Sequence, residues 1–262
     1  MSAGESLYVV GNSWLHRADP RVKLGFAVLG TATVMAFNRL AFFLLFLLLC
    51  HAILISARTP LTRLAWAWRL MLPITILIPL MWPLFSTSPG TEILHWGLLT
   101  VTWSDVWQGL AMAARIDAMA FAFFVWLFAT DQTDIILGFV SLGIPYEWGL
   151  TVAIALRYVP TLSTSFSQVM DAQRARGLVI PPSNPLRAAR AYIPALVPML
   201  VNALRTAENL SRALEARAFG APGRGRTVRR QLHLKRSDGL LLTLMLVLSL
   251  GLMTARLVWG WG

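Results

Sequence analysis

The chain has 262 residues, 56% of them hydrophobic and only 13% charged, with a mean hydropathy of +0.62. That is too apolar for an ordinary water-soluble domain and implies a membrane protein with room for about five or six spanning helices. A net charge of +11 lies on this background, and the one cysteine, Cys50, stands in an apolar run, which excludes a disulfide framework and a cysteine-rich metal site.

The charge is concentrated. Between Arg157 and Arg236 stand 14 of the 23 Lys and Arg, with only Asp171, Glu208 and Glu215 as acids, and the charges outside this window cancel. A pI near 11.3 is compatible with nucleic-acid binding, but a basic segment between apolar runs is more simply the bias of cytoplasmic loops, so no nucleic-acid partner is expected.

In chain order, Met1–Asp19 is polar and lacks the apolar core of a signal peptide. Five apolar runs follow, Val22–Phe37, Leu40–Ser56, Leu70–Phe85, Gly109–Thr130 and Gly239–Trp259. The first three are near the lower limit of about 17 residues for a span. Arg17, Arg21 and Lys23 precede the first run and place the N-terminus in the cytoplasm, while Asn38 and Arg39 make a tight outer turn. Arg58, Arg63 and Arg69 mark the next inner loop. Between Arg69 and Arg115 there is no Lys or Arg, so the outer loop falls there, with Ser86–Gly90 as a turn. Trp82, Trp96, Trp103, Trp107, Trp259 and Trp261 stand at the ends of apolar runs, as interfacial anchors do.

Past Asp131 the pattern changes. Ile135–Ile144 and Trp148–Leu156 are apolar, and two more spans could be fitted there. Short amphipathic helices along the inner face of the bundle are the preferred reading. Asp131 and Asp134 suit the cap and first turn of a helix. Tyr146–Arg176 has almost no helix breaker except Pro160, and its second half (Ser163, Thr164, Ser165, Ser167, Gln168, Asp171) is too polar for lipid. A second long helix is expected over Leu186–Phe219, with Pro194 and Pro198 near its start, after the break at Pro181-Pro182-Ser183-Asn184-Pro185. The two helices end alike, in Ala175-Arg176-Gly177 and in Ala216-Arg217-Ala218-Phe219-Gly220. Arginine in a last turn with glycine beyond is ordinary capping. Two matching exposed tips form a paired device, because each arginine presents a rigid fork of donors to carboxylates on a partner. At the second tip Gly220 is the expected source of the left-handed cap.

Leu156-Arg157-Tyr158-Val159-Pro160 leading to Ala175-Arg176-Gly177, and Ile193-Pro194 through Pro198 leading to Glu215-Ala216-Arg217-Ala218-Phe219-Gly220, resemble the transmembrane (T) component of energy-coupling factor ABC transporters. The segment Ser13-Trp14-Leu15-His16-Arg17-Ala18-Asp19-Pro20-Arg21-Val22-Lys23-Leu24 is similar to that family's N-terminal stretch as well. The resemblance implies an all-α polytopic membrane protein of about five spans with long cytoplasmic coupling helices. Residues 1–130 would form a four-span bundle, 131–237 the coupling-helix region, and 238–262 the last span. It further implies a non-catalytic subunit in a prokaryotic plasma membrane, joining two ABC ATPases to a small membrane-embedded substrate-binding (S) subunit for vitamin or transition-metal uptake. ATP and Mg²⁺ would be bound by the ATPases, and no cofactor by this chain. The docking tips would be Ala175, Arg176, Gly177 and Ala216, Arg217, Ala218, with Pro160, Pro194 and Pro198 as bend points. No Gly-rich phosphate loop is present.

Other residues carry less. Arg115 and Asp117 lie in the fourth run but two apart, on different faces, so each is expected to find a partner on another helix. His51 reads as a packed residue. Two rivals remain, the membrane subunit of a conventional ABC importer and an intramembrane enzyme; the scattered His16, His51, His95 and His233 supply no catalytic pair for the latter.

Overall fold

The computed structural model describes residues 8–9, 11, 13–85, 92–96, 99–178, 191–219 and 235–259. The turn expected at Ser86–Gly90, the break at 181–185 and the cap expected from Gly220 lie outside them. The protein is an all-α membrane protein. Its contacts divide it into two units, residues 1–143 with 232–262, and residues 144–231.

The first unit begins with a single turn, α1 (Trp14–Arg17), capped by Ser13, and continues into α2 (Pro20–Ala36), α3 (Leu40–Ser56) and α4 (Leu61–Phe85). Asp19 caps α2 by accepting from the Arg21 amide at 2.9 Å, and Pro20 takes the first helical position, where the missing N–H costs nothing. A two-stranded antiparallel hairpin, β1 (Glu92–Trp96) and β2 (Leu99–Thr102), follows, with His95 opposite Thr100. The hairpin is an addition to the sequence reading, which had only a loop here. Then come α5 (Trp103–Ala129) and α6 (Gln132–Ser141), and after the second unit the chain returns as α9 (Arg236–Trp259).

Helices α4, α5 and α9 are each long and apolar enough to cross a membrane, and α3 is a shorter apolar helix. With 17 residues each, α2 and α3 reach only about 25 Å. Thr102 and Asp105 start α5 with a reciprocal capping box, the Asp105 carboxylate accepting from the Thr102 amide at 3.1 Å. The prolines Pro73, Pro79 and Pro83 stand inside α4 without ending it, as spanning helices tolerate.

Helix α5 is the axis of this unit, and α2, α3 and α4 all pack on it. Lipid tails are as apolar as leucine, so helices in a bilayer associate through close packing and a few polar contacts. The buried face of α5 is accordingly rich in small residues: Gly109, Ala113, Ala114, Ala118, Ala122 and Ala129. Larger rings fill the remaining space: Phe121 lies 5.1 Å from Trp68 of α4 and 4.5 Å from His51 of α3. Trp68 donates its indole N–H to His51 Nε2 at 2.9 Å, which leaves Nδ1 to donate to the Leu47 carbonyl at 2.8 Å. His51 is thus a packing residue with both nitrogens engaged.

The intramembrane charges each have a cross-helix partner. Asp117 is buried, with the Thr75 hydroxyl of α4 2.9 Å from Oδ2. Arg115 donates to the Met35 carbonyl at the end of α2 and reaches Asn38 Oδ1 at 3.4 Å. α9 lies along α2, where the Thr33 and Ser249 hydroxyls bond at 2.8 Å.

At Gly109 the close neighbour is backbone: an added Cβ would stand 2.9 Å from Pro79 Cα and 3.0 Å from Trp82 Cβ. Backbone cannot yield as a side-chain tip can, so Gly109→Val is expected to cost about 1–3 kcal/mol. The midpoint of thermal unfolding in detergent should fall, while Gly239→Ala, with open space at the Cβ, should leave it nearly unchanged.

Candidate functional site: two arginine helix tips

The second unit holds two long helices, α7 (Tyr146–Ala175) and α8 (Ile193–Ala216). Their faces explain why they form. On α7, Leu162, Phe166, Val169 and Met170 recur at helical spacing and turn away from solvent; on α8, Ala195, Met199, Ala203 and Leu210 do the same. The two helices pack on each other. Phe166 stacks on Tyr192 at 6.3 Å, and Gln173 Nε2 donates to the Pro194 carbonyl at 3.4 Å. The end of α7 therefore lies beside the start of α8.

Both helices close with the same hydrogen-bond pattern. At the α7 terminus the Gly177 amide donates to the Arg174 carbonyl at 2.9 Å and the Leu178 amide to the Gln173 carbonyl at 3.0 Å. At the α8 terminus the Ala218 amide donates to the Glu215 carbonyl at 2.8 Å and the Phe219 amide to the Leu214 carbonyl at 3.0 Å. Each pair is a Schellman motif, with Arg176 or Arg217 as the C-cap and the next residue left-handed. Gly177 has φ +90°, and Ala218 takes φ +55°. This corrects the expectation placed on Gly220: Ala218 itself adopts the left-handed turn, against the steric cost of its Cβ.

Arg176 and Arg217 are therefore equivalent by backbone geometry and not merely by spelling. Both side chains are exposed, as are the alanines around them. Arg174 makes an exposed contact with Asp171 at 3.4 Å, worth little in water. Because Gln173 sits at the start of α8 and Arg217 at its end, the tips are separated by most of the length of α8, roughly 30 Å. The Schellman cap alone is not specific, since α3 ends in the same way, with Arg58 at φ +57°. What singles out α7 and α8 is the pairing, the spacing and the exposure.

The proposed bend points are all in helix: Pro160 within α7, Pro194 in the first turn of α8, and Pro198 within it. The first half of α8 also carries a solvent-facing apolar stripe, Ile193, Leu196, Val197, Leu200 and Leu204, which gives way to Arg205, Glu208 and Arg212 toward the tip. No cluster of His, Cys, Asp and Glu suited to a metal ion is found among the described residues. Sequence reasoning missed Ala218 as the left-handed residue, because an alanine there breaks the glycine rule that makes such caps visible.

The cobalt transport protein family CbiQ matches residues 11–227, which span α1 through both tips. The energy-coupling factor transporter transmembrane protein EcfT of Brevibacillus brevis is 32% identical, covering 92% of this chain and 93% of its own length. The EcfT protein of Acidaminococcus fermentans is 32% identical over 97% of this chain and 96% of its own. The chain belongs to the family of T components of energy-coupling factor transporters. The T-component match runs through all of the bundle up to α6 as well as the paired tips, so the resemblance read from the N-terminal segment and from the tips points the same way.

The two left-handed positions predict opposite responses. Gly177→Ala should loosen the α7 tip, and Ala218→Gly should tighten the α8 tip by about 0.5–1 kcal/mol, the steric relief exceeding the entropy of the added glycine. Hydrogen exchange of the last-turn amides should quicken severalfold in the first variant and slow in the second.

Proposed function

We propose that this T component couples two ABC ATPases to a small substrate-binding membrane subunit, and that Arg176 and Arg217 are its docking contacts. The observation that carries this reading is the pair of equivalent, exposed arginine C-caps set roughly 30 Å apart. An arginine fork on a rigid cap loses little side-chain freedom per hydrogen bond, and the flanking Ala175, Gly177, Ala216 and Ala218 let a partner surface approach closely. A fixed separation suits two copies of one receptor groove, one on each ATPase.

ATP binding would draw the ATPases together and drive the tips relative to each other. Helices α7 and α8 are continuous and would carry that motion, with Pro160, Pro194 and Pro198 as compliant points where the backbone ladder is interrupted. The apolar stripe from Ile193 to Leu204 supplies a surface against which an S subunit or lipid would rest. In this role the chain has no catalytic site: nucleotide and Mg²⁺ belong to the ATPases, and the cargo, a vitamin or a transition-metal ion, to the S subunit. The N-terminus lies in the cytoplasm of a prokaryotic cell, on the side of the basic segment.

The test is capture of ABC ATPases co-expressed with this chain and purified in detergent. Arg176→Glu with Arg217→Glu should reduce capture at least ~tenfold, the equivalent of losing about 1.4 kcal/mol. Unchanged capture would return both arginines to helix capping. No capture even by the unaltered chain would overturn the coupling role.

A further inference from the structure

An apolar channel lined by α2, α3 and α9 runs along one face of the bundle. Its wider part, about 630 Å³, is bordered by Phe26, Gly30 and Thr33 of α2, Leu49 of α3 and Leu248 of α9. That volume falls within the range of ligand sites, roughly 300–1,000 Å³. Phe26 and Met245 also border a smaller space of about 70 Å³, which continues past Val22 and Leu241 to Trp14 and Ala18 of the α1 segment. The two spaces extend from Val22 to Thr33 on α2 and from Leu241 to Leu252 on α9. Eleven residues of helix cover roughly 16 Å, close to one leaflet of a hydrocarbon core ~30 Å thick. The channel asks for no hydrogen bond from its occupant. Thr33 donates to the Leu29 carbonyl at 2.7 Å, so Ser249 donates to Thr33 at 2.8 Å and both hydroxyls are satisfied. Gly30 lets the Phe46 ring lie against α2, since an added Cβ would stand 2.8 Å from Phe46 Cζ.

The α1 end of the channel is held firmly and is cationic. A single helical turn does not keep its own place, and α1 is pinned by contacts from several elements. The Val9 amide donates to the Phe128 carbonyl at 3.0 Å, His16 Nε2 to the Val9 carbonyl at 2.7 Å, and Lys23 Nζ to the His16 carbonyl at 3.3 Å. Trp14 donates its indole N–H to Ser56 Oγ, at the end of α3, at 3.2 Å. Its ring is thereby fixed at the channel mouth and half exposed, as an interfacial tryptophan is. Exposed cations border this end: Arg17 on α1, Arg58 just after α3, and Lys235 and Arg236 at the start of α9. The acids at the starts of α2 and α9, Asp19 and Asp238, are buried. The exposed charge of these helix ends is therefore positive.

We propose that this channel binds one anionic phospholipid, with an acyl chain between α3 and α9 and the phosphate held by the cations around Trp14. Arginine forks bind phosphate through paired, charge-assisted hydrogen bonds, and basic pockets between spanning helices hold lipid head groups. A protein helix is the rival occupant, but helices in lipid meet through small residues and shared polar contacts. Here Leu45, Leu48, Leu49 and Leu248 form the walls and the hydroxyls are spent on each other. A flexible chain suits that lining better than a rigid cylinder. The site uses no residue of the second unit and stands apart from the coupling reading.

The test uses the full chain in nanodiscs containing phosphatidylglycerol or phosphatidylethanolamine with a photoreactive diazirine on one acyl chain. Adducts are located by peptide mass spectrometry. Any lipid-facing helix collects some label, so the exposed face of α4 at Ile76, Leu77 and Leu80 is the internal reference. Relative to it, channel residues of α3 and α9 should favour phosphatidylglycerol by at least ~tenfold, which one charge-assisted hydrogen bond supplies. Ala52→Trp, at an exposed position bordering the channel, should cut the channel adducts severalfold and leave those on α4 unchanged. Arg58→Gln with Arg236→Gln should bring the two lipids to parity. Labelling that is equal on the channel and on α4 with both lipids would reduce the channel to ordinary lipid contact and overturn the proposal. So would a protein adduct formed in native membranes by a benzophenone side chain in place of Ala52, which would assign the channel to a partner helix.

Discussion

Helices inside a bilayer gain nothing from hiding apolar surface from one another, because the lipid is as apolar as they are. The bundle therefore depends on how closely backbones can approach, and α5 sets that distance. Gly109 and the alanines at 113, 114, 118, 122 and 129 make half of its buried positions small, so α2, α3 and α4 can all pack on it. The bulky aliphatic residues are displaced to the outside: Leu45, Leu48, Ile76, Leu80 and Val247 are largely exposed, which in a membrane means facing acyl chains. A soluble protein would invert this arrangement.

Against that background the few buried polar groups decide which helices meet and at what height. Thr75 with Asp117 fixes α4 on α5, Arg115 with Met35 and Asn38 fixes the turn after α2 at the middle of α5, and Thr33 with Ser249 fixes α9 on α2. Each contact joins different helices, so together they set the axial positions of α2, α4 and α9 relative to α5. Lys23 performs the same service where α1, α2 and α5 meet, donating to the His16 and Ala129 carbonyls. A polar group with no water available must find a partner, and the cost of failing to find one makes these contacts specific.

The second unit follows another rule. α7 and α8 are amphipathic, and their inward stripes of medium-sized residues pair with each other. Their apolar content falls along each helix toward its C-terminus, and both stop at an arginine cap exposed to water. The left-handed turn at Ala218 shows that the geometry of the second tip is held by two backbone hydrogen bonds against the preference of its own side chain. A strained conformation persists only where the surrounding structure over-determines it.

Much of this was legible in the chain itself. Five apolar runs became five bundle helices, the basic window marked the distinct second unit, and the Ala-Arg tips named the residues that terminate its helices. These follow from composition and periodicity, which one helix satisfies without reference to any other. The separation of the tips, the partners of Arg115 and Asp117, the hairpin before α5 and the continuation of α4 through Pro73, Pro79 and Pro83 were decided elsewhere. Lys23 is the clearest case: in sequence it is one more cation preceding a span, and only folding brings the Ala129 carbonyl to it from more than a hundred residues away. Sequence determines which surfaces a helix offers. Which of them are buried together, and which charges must then be satisfied, depends on distances between segments that no local pattern records.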